Sequence, residues 1–410
     1  MRLIHTSDWH LGHALRQHDR SHEHQCFLDW LLQQLLQQQA DVLLVAGDLF
    51  DTVNPSAQAQ AQLYRFLAWA HQRMPGLQTV LIAGNHDSAA RLEAPQPLLE
   101  SLAVRVVGQV HRKPAGEIDL DRMLLPLGPD LAGPTAVCLA VPYLRPADLP
   151  VVEEGDPYLG GIERLYRDLH ARARALYGPS MPLIAMGHCH VRGGQSSIDS
   201  ERRLVIGGSE ALPAAAFPED LAYAALGHLH LAQAVSGRNE LRYCGAPLPF
   251  SFGEARYPHQ ILRVDLGRGP ARIETLRVPR FVELQRIPAE PKPLAEVLAL
   301  LGDLSETALP LEMQPLLEVR VLLDAPLPDL RRQVEGALQG KPVRLLRIDP
   351  HYRQQDPAKD EQQAGSLAEL QLDPVSLLRE QYRQQYGESL PTELEALLLE
   401  LVRADRGEAA

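Results

Sequence analysis

Residues 41–51 read Asp-Val-Leu-Leu-Val-Ala-Gly-Asp-Leu-Phe-Asp. Asp41–Ala46 is a Val- and Leu-rich run of strand length, and it stops at Gly47-Asp48. That puts a carboxylate at the carboxyl end of a strand, where α/β folds build their sites. The pattern recurs on both sides. Arg2–Thr6, Thr79–Ala83, Val104–Val107, Ala136–Val141, Leu183–Met186 and Ala222–Leu226 read as strands. His22–Gln38, Ser56–His71, Glu93–Ser101 and Gly161–Tyr177 read as helices between them. Short apolar runs alternating with longer helical patterns predict an α/β domain.

The pattern changes after Pro258. Gln260–Leu266, Arg272–Val278, Phe281–Ile287, Leu316–Leu323 and Val343–Ile348 read as strands, with helices at Pro293–Leu301 and Pro328–Leu338. The last five of these elements predict a second, small α/β domain. Residues 351–366 (HYRQQDPAKDEQQAGS) are almost devoid of apolar side chains and read as a linker. Beyond it, Asp373 is placed to cap a helix over Pro374–Tyr386, with Pro374 at its first position and Gly387 after its end. Thr392 and Glu395 fit a capping box for a second helix over Pro391–Arg403. The expected division is therefore 1–258, 259–350, a linker at 351–366, and helices in 367–410. A two-helix unit buries little core alone. It either packs back on the body or docks on a partner, and the polar linker favours the partner. The docking face would be Leu377, Leu378 and Tyr382 on the first helix and the stripe Leu394, Leu397, Leu398 and Leu401 on the second.

Composition narrows the classes. At 410 residues two to three domains are expected, and 45% hydrophobic with 22% charged residues is a globular balance. The net charge of −12 argues against a basic nucleic-acid coat, yet not against a nuclease, because bound cations can be the largest positive charges in a site. The first ten residues carry polar groups and no apolar core, so no signal peptide is expected, and no apolar run suggests a membrane span. Cys26, Cys138, Cys189 and Cys244 form no CxxC pair. Reduced thiols and a cytoplasmic location are the simplest expectation.

Five motifs each follow an expected strand: Asp8-Trp9-His10, Gly47-Asp48-Leu49-Phe50-Asp51, Gly84-Asn85-His86-Asp87, Gly187-His188 and Gly227-His228-Leu229-His230. Singly each is weak, and a lone His at a strand end is more often structural. Jointly they offer seven oxygen or nitrogen donors and no thiolate: Asp8, His10, Asp48, Asn85, His188, His228 and His230. Such a set suits Mn²⁺, Fe²⁺ or Zn²⁺. It exceeds one tetrahedral site and matches two ions sharing a bridging carboxylate, the arrangement that activates water for displacement at phosphorus. His86 is an imidazole beside that set, suited to a leaving alkoxide. Asp51 is expected either to hydrogen-bond His86 and raise its basicity or to cap the local turn. His190, in a second GHxH, is expected to be a non-ligand. The segment Leu11–His24, with His13, Arg16 and Arg20, is either a phosphate-contacting loop or a solvated one.

DxH, GDxxD, GNHD, GH and GHxH in this order resemble the calcineurin-like metallophosphoesterases. SDWHLG at Ser7–Gly12, GDLFD at Gly47–Asp51, GNHDS at Gly84–Ser88 and ALGHLH at Ala225–His230 are similar to its DNA-end nucleases that work with an SMC-like ATPase. The resemblance covers nearly the whole chain and is most specific in the first 230 residues. It implies a sandwich of two β-sheets flanked by helices, a small α/β capping domain and a C-terminal helical hairpin. It implies one metal on Asp8, His10, Asp48 and His230, a second on Asp48, Asn85, His188 and His228, and His86 as a non-ligand acting near the leaving oxygen. It also implies Mn²⁺, DNA ends and hairpins as substrates for exonuclease and endonuclease cleavage, and the ATPase bound through the C-terminal helices. A homodimer formed through helices such as Ser56–His71 and Glu93–Ser101, inside a heterotetramer, follows from the same resemblance.

Competing expectations are a phosphatase or small phosphodiesterase of the same superfamily, and a metal-stabilised scaffold without catalysis. Protein phosphatases there read GDxVDRG and GNHE, unlike GDLFD and GNHD here. A scaffold would not need His86.

Overall fold

The computed structural model describes residues 1–128, 133–152, 155–195, 211–353, 391 and 394. The chain opens with β1 (Arg2–Thr6), a short hairpin of β2 (Ala14–Leu15) and β3 (His18–Asp19), and α1 (Ser21–Gln38). Next come β4 (Val42–Ala46), α2 (Ala57–Arg73), β5 (Gln78–Ile82), α3 (Ala89–Glu93), α4 (Gln96–Leu99), β6 (Val104–Val107), β7 (Leu124–Leu127) and β8 (Ala136–Ala140). Then follow α5 (Pro157–Tyr177), β9 (Leu183–His188), β10 (Tyr223–Gly227), β11 (Gln233–Val235), β12 (Arg238–Tyr243), β13 (Gln260–Asp265) and β14 (Arg272–Arg277). The last elements are β15 (Leu284–Pro293), α6 (Leu294–Gly302), β16 (Leu316–Leu323), α7 (Leu330–Ala337) and β17 (Arg344–Tyr352).

Two six-stranded sheets dominate, ordered β14-β13-β1-β4-β5-β6 and β11-β12-β10-β9-β8-β7. Side chains on the first sheet alternate between two cores, as the pleat requires. Leu3, Val42, Leu44, Val80 and Ile82 join the core shared with the second sheet, whose strands contribute Val137, Leu139, Ile184 and Ala224. Ile4, Leu43, Val45 and Leu81 point the other way, against Phe27, Leu31 and Leu35 of α1 and Leu63 and Phe66 of α2. Local chemistry starts the helices. Ser56 Oγ accepts the Ala59 N–H at 3.1 Å ahead of α2, and Asp156 accepts from Tyr158 and Leu159 ahead of α5.

Three features differ from the sequence expectations. Glu93–Ser101 is not one helix. It is the end of α3, then α4, then a 3-10 turn at Glu100–Leu102. Pro95 and Pro97 remove two helical N–H donors there, and a proline ring clashes with the preceding turn. β13 and β14 lie beyond residue 258 yet extend the first sheet. β13 pairs antiparallel with β1, Leu3 opposite Val264, so β1 is interior rather than an exposed edge. The strands β2, β3, β7, β11 and β12 carried no clear signal. Most are very short, and β12 (RNELRY) is largely polar.

β15, β16 and β17 form a three-stranded sheet, α6 packs against β15 and α7, and Val297, Leu301, Leu317, Val319 and Val321 are fully buried. Contacts divide the chain into two units, 1–321 with 328–350, and 322–327 with 351–410. Within the second, the Arg353 N–H donates to the Leu323 carbonyl at 3.0 Å. Nearly all of the expected linker and C-terminal helices lie outside the described residues. No described helix is long and apolar enough to cross a membrane.

Leu44 is fully buried between the sheets. Leu44→Ala is expected to cost about 2–5 kcal/mol, read as a lowered thermal midpoint.

Candidate metal centre

The carboxyl ends of β1, β4 and β5 in one sheet meet those of β9 and β10 in the other. All five motifs therefore arrive at one place. Asp8, His10, Asp48, His188, His228 and His230 are each at most 6% exposed. Three groups of ligand atoms each fall within 4.8 Å of one another: Asp8 with His10 and His230, Asp8 with Asp48 and His188, and His10 with Asp48 and His86. Asn85 Oδ1 joins them, 3.0 Å from Nε2 of His188 and 3.2 Å from Nδ1 of His228. All seven expected donors are thus gathered. His86 shares their neighbourhood, so proximity alone does not distinguish a ligand from an acid. His190 enters none of the metal-capable groups among the described residues.

The hydrogen bonding suits a cation. His188 Nδ1 faces the Ala46 carbonyl at 2.9 Å and must donate to it. Its Nε2 then presents a lone pair to Asn85 Oδ1 at 3.0 Å and to Asp48 Oδ2 at 3.3 Å. A lone pair facing the Asp48 carboxylate is an opposition that a proton or a metal ion on the nitrogen relieves. His10, 4% exposed, has carboxylates beside both ring nitrogens, Asp51 at 3.4 Å from Nδ1 and Asp48 at 3.6 Å from Nε2. In the metal-free chain a proton fills the gap. Burial would lower His188, but the Asp48 and Asp8 carboxylates push it up to about 9. Burial would raise Asp48, but the imidazoles of His188, His10 and His86 hold it well below the usual carboxylate range. The residues present fit divalent cations.

Reaching this arrangement strains the backbone. Asp8, His10, Asp48 and His228 all adopt positive φ, at 54°, 46°, 49° and 100°. For residues with a Cβ this is costly, and it persists where surrounding structure imposes it. Two glycines permit the close approach. A Cβ on Gly84 would overlap the Asp48 carboxylate, and one on Gly227 would overlap the Ala46 carbonyl, where β4 and β10 cross.

Two contributors were not anticipated. Asp87, 1% exposed, accepts the N–H groups of Gly84, Leu49 and Phe50 at 2.8, 3.1 and 2.9 Å. It ties the GNHD loop to the GDLFD loop, so the last letter of GNHD serves the scaffold. Phe250 lies edge-on to the rings of His10, His13 and His230, with centroids 4.8, 4.9 and 5.3 Å away. No local motif marks it.

Other expectations change. Asp51 meets His86 through its main-chain carbonyl, 2.8 Å from Nδ1. The Asp51 carboxylate instead lies 3.4 Å from His10 Nδ1. The ring is held by an uncharged acceptor, and the side chain faces an expected ligand. Arg20 does not face solvent. It is 1% exposed, paired with Glu23 at 2.6 Å and bonded to the Pro249 carbonyl. An internal partner outcompetes solvent for a guanidinium facing the core. His13 is largely enclosed beside Phe250, whereas Arg16 is exposed at the tip of the β2–β3 hairpin. Leu394 is 47% exposed, and Leu377, Leu378, Tyr382, Leu397, Leu398 and Leu401 lie outside the described residues. Arg20→Ala strands the buried Glu23 charge, so it is expected to lower stability by about 3–5 kcal/mol in a denaturation assay.

A calcineurin-like phosphoesterase model matches residues 1–232, and a type 5 capsule protein repressor C-terminal domain model matches residues 280–386. The chain is 43% identical to the D subunit of the SbcCD nuclease of Rhodobacter capsulatus over 84% of its length and 86% of that protein. It is 33% identical to the D subunit of the SbcCD nuclease of Escherichia coli K12 over 92% of its length and 91% of that protein. The counterpart from Bacillus subtilis is 36% identical over 66% of this chain and 67% of its own. With its ligand-bearing loops set at the ends of two facing sheets, the chain belongs to the calcineurin-like phosphoesterases and, within them, to the family formed by the D subunits of SbcCD nucleases.

Proposed function

We propose that this chain is the nuclease subunit of a DNA-end-processing complex, acting with an SbcC-type SMC-like ATPase in repair and recombination. It would cut duplex ends as a 3′–5′ exonuclease and single strands or hairpins as an endonuclease. The observation that carries this is the convergence of seven donors with His86 beside them on the Asp51 carbonyl. Asp8, His10, Asp48 and His230 would hold one divalent ion, and Asp48, Asn85, His188 and His228 the other, with Asp48 shared. Mn²⁺ suits this mixed oxygen and nitrogen set. Two such ions supply an activated water and offset the charge developing on phosphate oxygens.

The chain's own groups do the rest. Asn85 and the buried imidazoles would fix the positions of the ions against which a phosphodiester is placed. With Nδ1 donating to the Asp51 carbonyl, protonated His86 offers its Nε2 proton to the leaving oxygen. Asp51, facing His10, would orient that ring rather than His86. Arg16 on the exposed hairpin remains available to phosphate, with His13 behind it as support. With a net charge of −12, DNA affinity would come largely from the ATPase partner. We assign the nuclease domain to the two sheets, the capping domain to the β15–β17 sheet, and partner binding to the C-terminal helices and their Leu stripe. A homodimer would use the apolar groove of about 590 Å³ lined by Tyr64, Leu98 and Leu102, where Leu98 is 74% exposed. We propose a cytoplasmic location, where thiols such as those of Cys26 and Cys189 would stay reduced.

Cleavage of single-stranded and duplex DNA with added Mn²⁺ tests the reading. Asp48→Ala should lose both cleavage and metal. His86→Gln should keep the metal and lose about 10²–10⁴-fold in rate. An inert wild type that still hydrolyses an aryl phosphate would instead mark a phosphatase. Truncation after Ser366 should abolish co-purification with the ATPase and spare Mn²⁺-dependent cleavage.

A further inference from the structure

Glu254 lies in the 3-10 turn Phe252–Arg256 and is fully buried. A carboxylate taken that far from water is costly unless donors meet its oxygens. Two do. Oε1 lies 2.8 Å from Nδ1 of His230, and Oε2 accepts the Phe250 main-chain N–H at 2.7 Å. A carboxylate only accepts, so Nδ1 of His230 carries the proton and Nε2 keeps the lone pair. That nitrogen is the one available to Asp8 and His10, with which His230 shares a metal-capable group.

The turn is itself anchored. His259 Nε2 meets the Glu254 carbonyl at 3.1 Å, and the Arg280 guanidinium donates to the Ala255 carbonyl at 2.8 Å. Phe252 packs with Leu284 and Leu316 of the smaller sheet, and the Arg286 guanidinium carbon lies 5.8 Å from its ring centre. Glu254 therefore holds His230 from a fixed point.

We propose that Glu254 is a positioning residue for the metal centre, fixing the tautomer and orientation of His230 and so the affinity of the Asp8–His10–His230 site but not of its neighbour. This rests on His230 being a metal ligand, as assigned above. The chemistry calls for a carboxylate. A glutamine brings one acceptor and one donor. Turned one way, its NH₂ opposes the Phe250 N–H. Turned the other, it opposes His230 Nδ1, drives the ring proton to Nε2 and removes the ligating lone pair. An aspartate keeps both acceptors but falls one methylene short.

The test is Mn²⁺ titration calorimetry and metal counting on the full chain, with metal-free melting temperatures alongside. Wild type should bind two ions. Glu254→Gln should weaken one of them by about 10–100-fold and leave the other unchanged. In a His230→Ala background, Glu254→Gln should change nothing further, because the ligand it positions is gone. Glu254→Asp should fall between wild type and Glu254→Gln, and it carries the test if Glu254→Gln does not fold. Wild-type binding by Glu254→Gln, while His230→Ala loses an ion, overturns the proposal alone. So does equal weakening of both sites with a lower metal-free melting temperature, the mark of a purely structural role. If His230→Ala binds both ions normally, the ligand assignment itself fails and takes the proposal with it.

Discussion

At the meeting of five strand ends, this chain buries two carboxylates and several imidazole lone pairs in one enclosed space. His188 donates to the Ala46 carbonyl and turns its other nitrogen toward the Asn85 amide oxygen and the Asp48 carboxylate. Asp8 and Asp48 lie in the same enclosed space. Burial opposes charge on His188, but the Asp48 and Asp8 carboxylates raise it to about 9, so in the metal-free chain a proton on its ring eases that conflict. A bound divalent cation resolves it more completely, since it accepts several lone pairs at once. The rest of the architecture keeps this unfavourable arrangement from relaxing.

Relaxation is blocked at several levels. The two sheets share one apolar core, so neither set of strand ends can retreat without exposing Leu44, Leu139 and their neighbours. Four of the candidate metal ligands sit at positive φ. Asp87 binds three N–H groups across two loops and holds the Asp48 carboxylate against Gly84. The Ala46 carbonyl and Glu254 each fix one imidazole tautomer. A layer of groups that touch no substrate thus decides where the ligating lone pairs point. Preorganisation of this kind is what positions a phosphodiester without reorganisation during reaction.

Most of the fold was legible because its central strands are apolar and sharply punctuated. Val42–Ala46 is five buried residues in a row and then Gly-Asp, a pattern that leaves little freedom in interpretation. The polar or very short strands escaped detection, since β11 and β12 owe their place to a neighbouring strand rather than to their own periodicity. Prolines at 95 and 97 outweighed the apolar spacing that suggested one helix over Glu93–Ser101. The roles of Asp51 and Arg20 turned on main-chain geometry and on burial, neither of which has a local signature.

The sequence by itself determined the donor set. Asp, Asn and His at strand ends, with no thiolate, specify hard to borderline cation chemistry wherever they meet, because ligand type is a property of the residue. Tertiary structure decided which nitrogen of each imidazole faces the centre and which carboxylate serves which ring. It also decided which charged side chains reach solvent. Those outcomes depend on groups distant along the chain, such as Ala46 for His188 and Glu254 for His230. A hydrogen bond acts over about 3 Å, and the distance along the chain between its partners leaves no pattern in local spacing.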